Sequence, residues 1–411
     1  MIGSALWWRL NIPIATASTR CNVDLKRVQI PDTRTATEQG FAMRLKTVGL
    51  LMACAAMSVP AAAQPGPATG QVAVDYSTQL KQGFAILKDF RFGSGETMAE
   101  LRMHHATLGT PKRDAQGRVT NAVMVLHGTG GSGMQFLQPQ FAQELFGPGQ
   151  PLDITKYYVI LPDNIGHGKS SKPSDGLKMR FPAYDYTDMV RAQRQMLVEG
   201  LKVDRLRLMM GTSMGCMHGF VWGQVDPGFV QAMMPMACLP MPIAGHNRMW
   251  RKAAIEGIKA DPAWAGGEYS APPMMGLRVA ASLLQVAGFA PLYLQKAFPT
   301  RETADEYINQ RVAASMKGID ANDIIYQIES SRNYDPSATV EQMTMPVTWI
   351  NSSDDFINPW DYGVAEDFGK RLPDGKYLLI QATDDTRGHG THTWAKFWRD
   401  ELVALLERSA K

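Results

Sequence analysis

The stretch Gly211-Thr212-Ser213-Met214-Gly215 decides how this chain is read. It follows a candidate strand at 205–210 and opens a helical pattern at 213–225. Two glycines allow a sharp turn from strand into helix, and that strained turn lifts the serine hydroxyl off the top of a sheet. In a chain with 37 glycines the bare string is weak. Its placement between strand and helix carries the reading. A serine hydroxyl is a poor nucleophile, so Ser213 needs a base, and the base needs an orienting acid.

Outward from this turn the chain alternates short apolar runs with longer amphipathic ones. Strands are expected at 84–92, 99–108, 121–126, 157–162, 205–210, 231–236, 346–351 and 377–381. Several are continuous apolar runs, which suits strands buried on both faces of a mostly parallel sheet. Helices are expected at 185–201, 213–225, 360–371 and 391–409, covering that sheet. From Met236 to Val347 no clear strand occurs, far beyond the usual length of a loop in such folds. Helical segments at 246–260, 276–290, 302–316 and 320–332 fill the gap. They predict a cap of residues 237–345 over the strand ends, with the core formed by 84–236 and 346–411.

The base and acid should follow the serine in the order acid, then histidine. His389 and His392 come after the last strand, in Arg387-Gly388-His389-Gly390-Thr391-His392. His389 lies between two glycines on the loop and is the preferred base. His392 is expected in the first turn of the final helix. The acid should follow the strand at 346–351, where Asp354 and Asp355 are adjacent. Asp355 is preferred because Phe356-Ile357-Asn358-Pro359 after it turns the chain into the next helix. The remaining aspartate is expected in a solvated loop or a helix cap.

An oxyanion hole completes the set. The strand at 121–126 runs into His127-Gly128-Thr129-Gly130-Gly131-Ser132-Gly133. Backbone N–H groups of Thr129 (or Gly130) and of Met214 are the candidate donors, with His127 as an anchor of the loop. The same loop matches the dinucleotide pattern through Gly128, Gly130 and Gly133, with Asp163 as ribose partner, so an oxidoreductase is the competing class. That class leaves the serine turn, the Asp-then-His order and the long insertion unexplained. Gly168-Lys169-Ser170 resembles the end of a phosphate-binding loop but lacks its leading glycine, since position 163 is aspartate. A zinc site from His389 and His392 lacks a well-spaced third ligand. The reading therefore implies no cofactor and no metal.

The 411 residues are 45% hydrophobic and 20% charged, an ordinary globular composition. The net charge of +3 is concentrated at the start. Seven basic and three acidic residues within 1–63 leave about −1 for the remainder, so no basic footprint for nucleic acid exists. Residues 43–63 combine Met43-Arg44-Leu45-Lys46, an apolar run and Ala61-Ala62-Ala63, the parts of a secretory signal peptide. The run is too short to span a bilayer. This segmentation treats 1–63 as a leader with Met43 as the true start, 64–83 as a linker, and the mature chain as periplasmic or secreted. Beyond the leader only Cys216 and Cys238 remain. They either pair in an oxidising compartment or stay as two buried thiols.

Several further motifs carry a more specific likeness. They are Thr107-Leu108-Gly109-Thr110 before Asn121-Ala122-Val123-Met124-Val125-Leu126-His127-Gly128, then Asp188-Met189-Val190-Arg191-Ala192-Gln193, and the serine turn with Met214. In the cap, Ala260-Asp261-Pro262-Ala263-Trp264-Ala265-Gly266-Gly267-Glu268-Tyr269, Asp320-Ala321-Asn322 and Asp335 belong with them. On these motifs residues 99–405 resemble the homoserine O-acetyltransferase family of α/β-hydrolase-fold acyltransferases. The resemblance implies an α/β-hydrolase fold with a helical cap, a Ser213–Asp355–His389 triad, and acyl transfer through an acyl-serine. Two family positions differ: Cys216 stands where a glycine follows the serine turn, and Gly390 where an aspartate follows the histidine. Exported protein would lack acyl-CoA donors, so the expected activity is hydrolysis of a small or medium ester, with acyl transfer from acyl-CoA as the alternative. The expected partner is a small-molecule ester or acyl donor, without nucleic acid or stable membrane insertion; a homodimer is left open.

Overall fold

The computed structural model describes residues 74–410. The expected leader, with its signal-like segment, and the first half of the expected linker lie outside the described residues. The second half is not a bare linker, since it holds a 3₁₀ turn, Tyr76–Gln79, and the start of the first strand at Lys81. Eight strands form one sheet: β1 (Lys81–Arg91), β2 (Thr97–Leu108), β3 (Ala122–Leu126), β4 (Tyr158–Pro162), β5 (Leu208–Thr212), β6 (Met233–Met236), β7 (Val347–Ser352) and β8 (Gly375–Ile380). Their order is β1-β2-β4-β3-β5-β6-β7-β8. β2 runs antiparallel to β1 and β4, and every other pairing is parallel. Successive side chains of a strand point to opposite faces. Met124 and Leu126 of β3 accordingly enter one hydrophobic cluster, while Val123 and Val125 enter another across the sheet. This two-sided burial explains the absence of polar alternation in the central runs.

Among the described residues ten α-helices surround the sheet and build the cap: α1 (Pro139–Leu145), α2 (Tyr186–Gln195), α3 (Met214–Val225), α4 (Gly245–Ala260), α5 (Met274–Ala287), α6 (Pro291–Ala297), α7 (Arg301–Ser315), α8 (Ala321–Glu329), α9 (Val364–Arg371) and α10 (Arg399–Arg408). Helices α4 to α8 lie between β6 and β7 and form the inserted cap. Ala254, Ile255 and Ile258 of α4 pack with Leu277, Ala280, Ile324, Ile325 and Ile328 into a separate small core. Fully burying one such isoleucine or leucine contributes about 1.5–3 kcal/mol, so the cap has packing of its own.

The boundaries depart from expectation where local chemistry interrupts the periodicity. The helix expected at 276–290 stops at Ala287 with Gly288 as its cap, and a separate α6 begins at Pro291, whose missing N–H suits a first helical position. The helix expected at 185–201 widens into one π-helical turn, Met196–Gly200. The expected helix 360–371 is divided by left-handed Gly363. The expected final helix 391–409 is shortened most. Two 3₁₀ turns, Gly388–Thr393 and Ala395–Phe397, precede α10. The break is at Trp394 and Trp398, both outside helical backbone geometry. Trp398 is buried in the core and its Nε1 donates to the His392 carbonyl at 3.1 Å. His392 therefore lies in a 3₁₀ turn beside His389, and not in the final helix.

Cys216 and Cys238 form a disulfide with Cα atoms 5.8 Å apart, joining α3 to the segment after β6.

Candidate active site

Ser213 stands between β5 and α3 with φ 55° and ψ −113°. A non-glycine residue in this region is strained, and the surroundings must hold it there. They do so closely. A Cβ on Gly211 would strike the Gly215 carbonyl, and one on Gly215 would strike the Leu126 carbonyl, so both flanking glycines are required by space. The Ser213 N–H donates to the Met236 carbonyl at 2.9 Å, tying the turn to β6.

The structure brings the three preferred side chains together. The Ser213 Oγ lies 2.8 Å from His389 Nε2, and His389 Nδ1 lies 2.8 Å from Asp355 Oδ2. With the carboxylate accepting at Nδ1, the neutral ring carries its proton there and offers Nε2 to the serine hydroxyl. Asp355 is buried and also accepts from the backbone N–H groups of Ile357 at 2.8 Å and Asn358 at 3.1 Å. Burial pushes its carboxyl up, but the His389 ring and these donors outweigh burial and hold it below its ordinary value. An acid kept ionised in this way suits the orientation of a histidine.

Asp354 differs from the solvated loop or cap position expected of it. It accepts from the Thr386 hydroxyl at 2.6 Å, from the Gly388 N–H at 3.1 Å, and from the Ser352 hydroxyl. It braces the histidine loop against the acid loop. His392 is half-buried beside the relay, its ring 5.2 Å from that of His389. Burial and the neighbouring His389 push it down to about 3, so it is neutral, and its Nδ1 has no partner.

The glycine-rich loop after β3 meets the serine turn. A Cβ on Gly128 would come within 3.2 Å of Ser213 Cβ. Thr129 and Gly130 line the same cavity as Ser213. Met214 is the first residue of α3, where backbone N–H groups have no partner inside the helix. His127 is buried, with Nδ1–H donating to the Gly128 carbonyl at 2.8 Å and Nε2 accepting from the Asn164 N–H at 3.1 Å. Both ring nitrogens are spent on holding the loop.

The dinucleotide reading is corrected at Asp163. Its carboxylate accepts from the Gly133 N–H at 2.8 Å, the Lys169 N–H at 2.9 Å and His104 Nδ1 at 2.8 Å, and the residue is buried. Nothing is left for a ribose hydroxyl. The loop itself leads into a short 3₁₀ turn, Gly133–Leu137, and offers no long helix to a pyrophosphate.

A cavity of about 490 Å³ opens over Ser213 and His389, walled on the cap side by Trp250, Arg251, Ala281 and Leu284. A neighbouring cavity of about 430 Å³, lined mainly by apolar residues such as Met217, Leu239 and Ile243, shares Ile357 with it. The cap residues were not singled out from the sequence. For Arg251 a signal existed: it follows Asn247 by four residues on an amphipathic helix, so both occupy one face. In the motif 188–193, Gln193 has a structural task. Its Oε1 accepts from Trp222 Nε1 at 2.7 Å and its Nε2 meets His218 Nδ1 at 3.0 Å beneath the turn.

The comparisons agree with this construction. The family described as the alpha/beta hydrolase fold matches residues 121–385, and the chain belongs to that family. In sequence it is similar to a homoserine O-acetyltransferase of Rhodopseudomonas palustris (strain HaA2), 28% identical over 295 residues covering 64% of this chain and 72% of that one. In structure it is similar to homoserine O-acetyltransferase from Bacillus anthracis, with a TM-score of 0.70 at 22% identity over 80% of this chain and 98% of that one. Esterase E22 is as similar in fold, with a TM-score of 0.70 at 17% identity over 80% of this chain and all of that one (100%). The chain is thus an enzyme of the α/β-hydrolase fold, similar in sequence to a homoserine O-acetyltransferase and in fold to an esterase as well.

Proposed function

We propose that this protein is a serine hydrolase that cleaves a small or medium carboxylic ester through an acyl-Ser213 intermediate. The observation that carries the reading is the unbroken relay from Asp355 through His389 to Ser213, 2.8 Å at each step, at the head of a strained turn. In the first half-reaction the Ser213 oxygen bonds to the ester carbonyl carbon as its proton passes to His389 Nε2. The backbone N–H groups of Thr129 and Met214 receive the developing oxyanion. Collapse breaks the bond to the alcohol, which leaves with the proton from His389. In the second half water gives its proton to His389 and attacks the acyl carbon. The carboxylic acid departs and Ser213 recovers its proton.

Acyl transfer follows the same first half and replaces water by a bound alcohol. The sequence likeness to a homoserine O-acetyltransferase supports that second reading. Hydrolysis is favoured by compartment. The signal-like segment 43–63 argues for export, and the Cys216–Cys238 disulfide suits an oxidising location, where acyl-CoA donors are absent. The deciding experiment incubates purified protein with p-nitrophenyl acetate and, separately, with acetyl-CoA plus homoserine. Release of p-nitrophenol with covalent fluorophosphonate labelling at Ser213 is the expected result. Efficient O-acetylhomoserine formation with negligible ester hydrolysis would install the transferase instead.

A further inference from the structure

Arg251 is a buried cation facing the cavity over Ser213. It lies on α4, is 3% exposed, and lines the cavity shared by Ser213 and His389. Its Nε donates to Asn247 Oδ1 at 2.9 Å and its Nη1 to Ser331 Oγ at 3.3 Å, both neutral acceptors. Arg248, on the same helix, has a carboxylate partner in Glu329 at 3.0 Å. Among the described residues Arg251 has none. It is also the one permanently charged side chain on the described cavity wall. A guanidinium held out of water without a counter-charge is destabilising unless something else offsets it.

The surroundings share the same deficit. The Thr129 hydroxyl and Trp250 Nε1, both on the cavity wall, are buried without hydrogen-bond partners. The Tyr186 hydroxyl lies beside the Thr129 hydroxyl, the Ser331 hydroxyl and the guanidinium, all of them without charge except the last. The guanidinium stacks over the Trp250 ring at 4.7 Å, so its surroundings are a ring face and neutral polar groups, with no negative charge among them. A guanidinium presents its N–H groups in a planar fork that matches a carboxylate.

We propose that Arg251 forms an anion subsite, and that the natural substrate is an ester bearing a carboxylate. This rests on the serine-hydrolase reading and narrows its substrate class. The carboxylate can enter on the acyl half or on the alcohol half of the ester, and two substrate pairs separate these sources. Monoethyl succinate against ethyl succinamate places the charge on the acyl half; 4-acetoxybutanoate against 4-acetoxybutanamide places it on the alcohol half.

A charge-assisted contact in a closed site predicts a preference in kcat/KM of about 10- to 100-fold for the anionic member of at least one pair. In Arg251→Met the ratio should fall towards parity, and Arg251→Lys should keep part of it. Because Arg251→Met can fail to fold, wild-type protein supplies a second readout. Butyrate should raise the melting temperature and slow fluorophosphonate labelling, and butyramide should do neither. Parity in both pairs for wild-type protein that is labelled at Ser213 overturns the subsite and leaves the hydrolase standing. Absence of labelling removes the hydrolase reading. The subsite is then judged by the thermal shift, and equal responses to butyrate and butyramide reject it.

Discussion

The Asp354 carboxylate accepts the N–H of Gly388 at 3.1 Å, one residue before His389. The same oxygen takes the Thr386 hydroxyl at 2.6 Å, so two donors of the histidine loop converge on the neighbour of the acid. Asp354 therefore acts as a positioning residue, holding His389 at the height where Nε2 meets Ser213. Asp354→Ala should lower kcat for p-nitrophenyl acetate by about 10- to 100-fold with little change in KM, since small displacements of a base cost rate. Asp354→Asn keeps an acceptor and should recover most of the loss. An equal rise in KM for both variants would point to a collapsed pocket instead.

The relay itself predicts a harsher pattern. Ser213→Ala should abolish fluorophosphonate labelling while the protein stays folded. Asp355→Asn and His389→Ala should each reduce kcat by roughly 10³- to 10⁶-fold, because members of a triad act as a unit. His392→Ala should be milder, since His392 is neutral and touches the relay only through its packing on His389. Single-turnover measurements on the four variants give the ranking, and a worse defect in His392→Ala than in His389→Ala would exchange their roles.

Stability should depend on pH through groups that take no part in the proton relay. Burial pushes the Asp323 carboxyl, which accepts from the Ser174 N–H and hydroxyl, up from 3.8 to about 6. Folded protein then holds that proton more tightly than unfolded protein, so this group costs stability as pH rises from about 4 to 6 and beyond, by about 3 kcal/mol at most. Buried His167 and half-buried His392 work in the opposite sense. Burial pushes each down from 6.5 to about 3, so their contribution is complete above 6.5 and is lost as pH falls towards 3. Each histidine gap is wider than that of Asp323, so the whole protein should lose stability on acidification below about 6.5. Urea melts of Asp323→Asn against wild type isolate the smaller effect. The variant should gain most near pH 8 and little near pH 4, and a constant difference would refute the assignment.

Much of this molecule was legible in the order of its residues. The central strands β3 to β7 coincide with apolar runs because burial on both sheet faces leaves no polar alternation, while β1 and β2 at the sheet edge alternate. Ser213 declared itself through the two glycines that the Leu126 and Gly215 carbonyls demand. What escaped depends on partners distant in the chain. Asp354 meets Thr386 and Gly388 across more than thirty residues, and Arg251 meets Ser331 across 80, contacts that no local pattern encodes. The final helix was overextended because Trp394 and Trp398 fit a helical period, while the core takes the Trp398 ring and breaks the helix before it.

The Cys216–Cys238 disulfide gives the last prediction. Cys216 lies in the first turn of α3, three residues after Ser213, and Cys238 lies just past β6, whose Met236 carbonyl receives the Ser213 N–H. The bond thus closes a short loop around the strained turn. Two effects act on its removal. Cross-linking residues 22 apart restricts the unfolded chain, an effect worth about 3 kcal/mol in the chain-entropy account. It also helps to hold Ser213 at positive φ against relaxation. Cys216→Ala/Cys238→Ala should therefore unfold at lower urea concentration, with a loss of about 2–4 kcal/mol. Both sulfurs are fully buried, so a mild reductant should reach them only through unfolding, and activity in dithiothreitol should decay at the unfolding rate. If the double variant matches wild type in both stability and kcat, α3 and β6 hold the turn without the bond. A loss of kcat larger than the loss of stability explains would show that the disulfide positions the nucleophile as well as stabilising the fold.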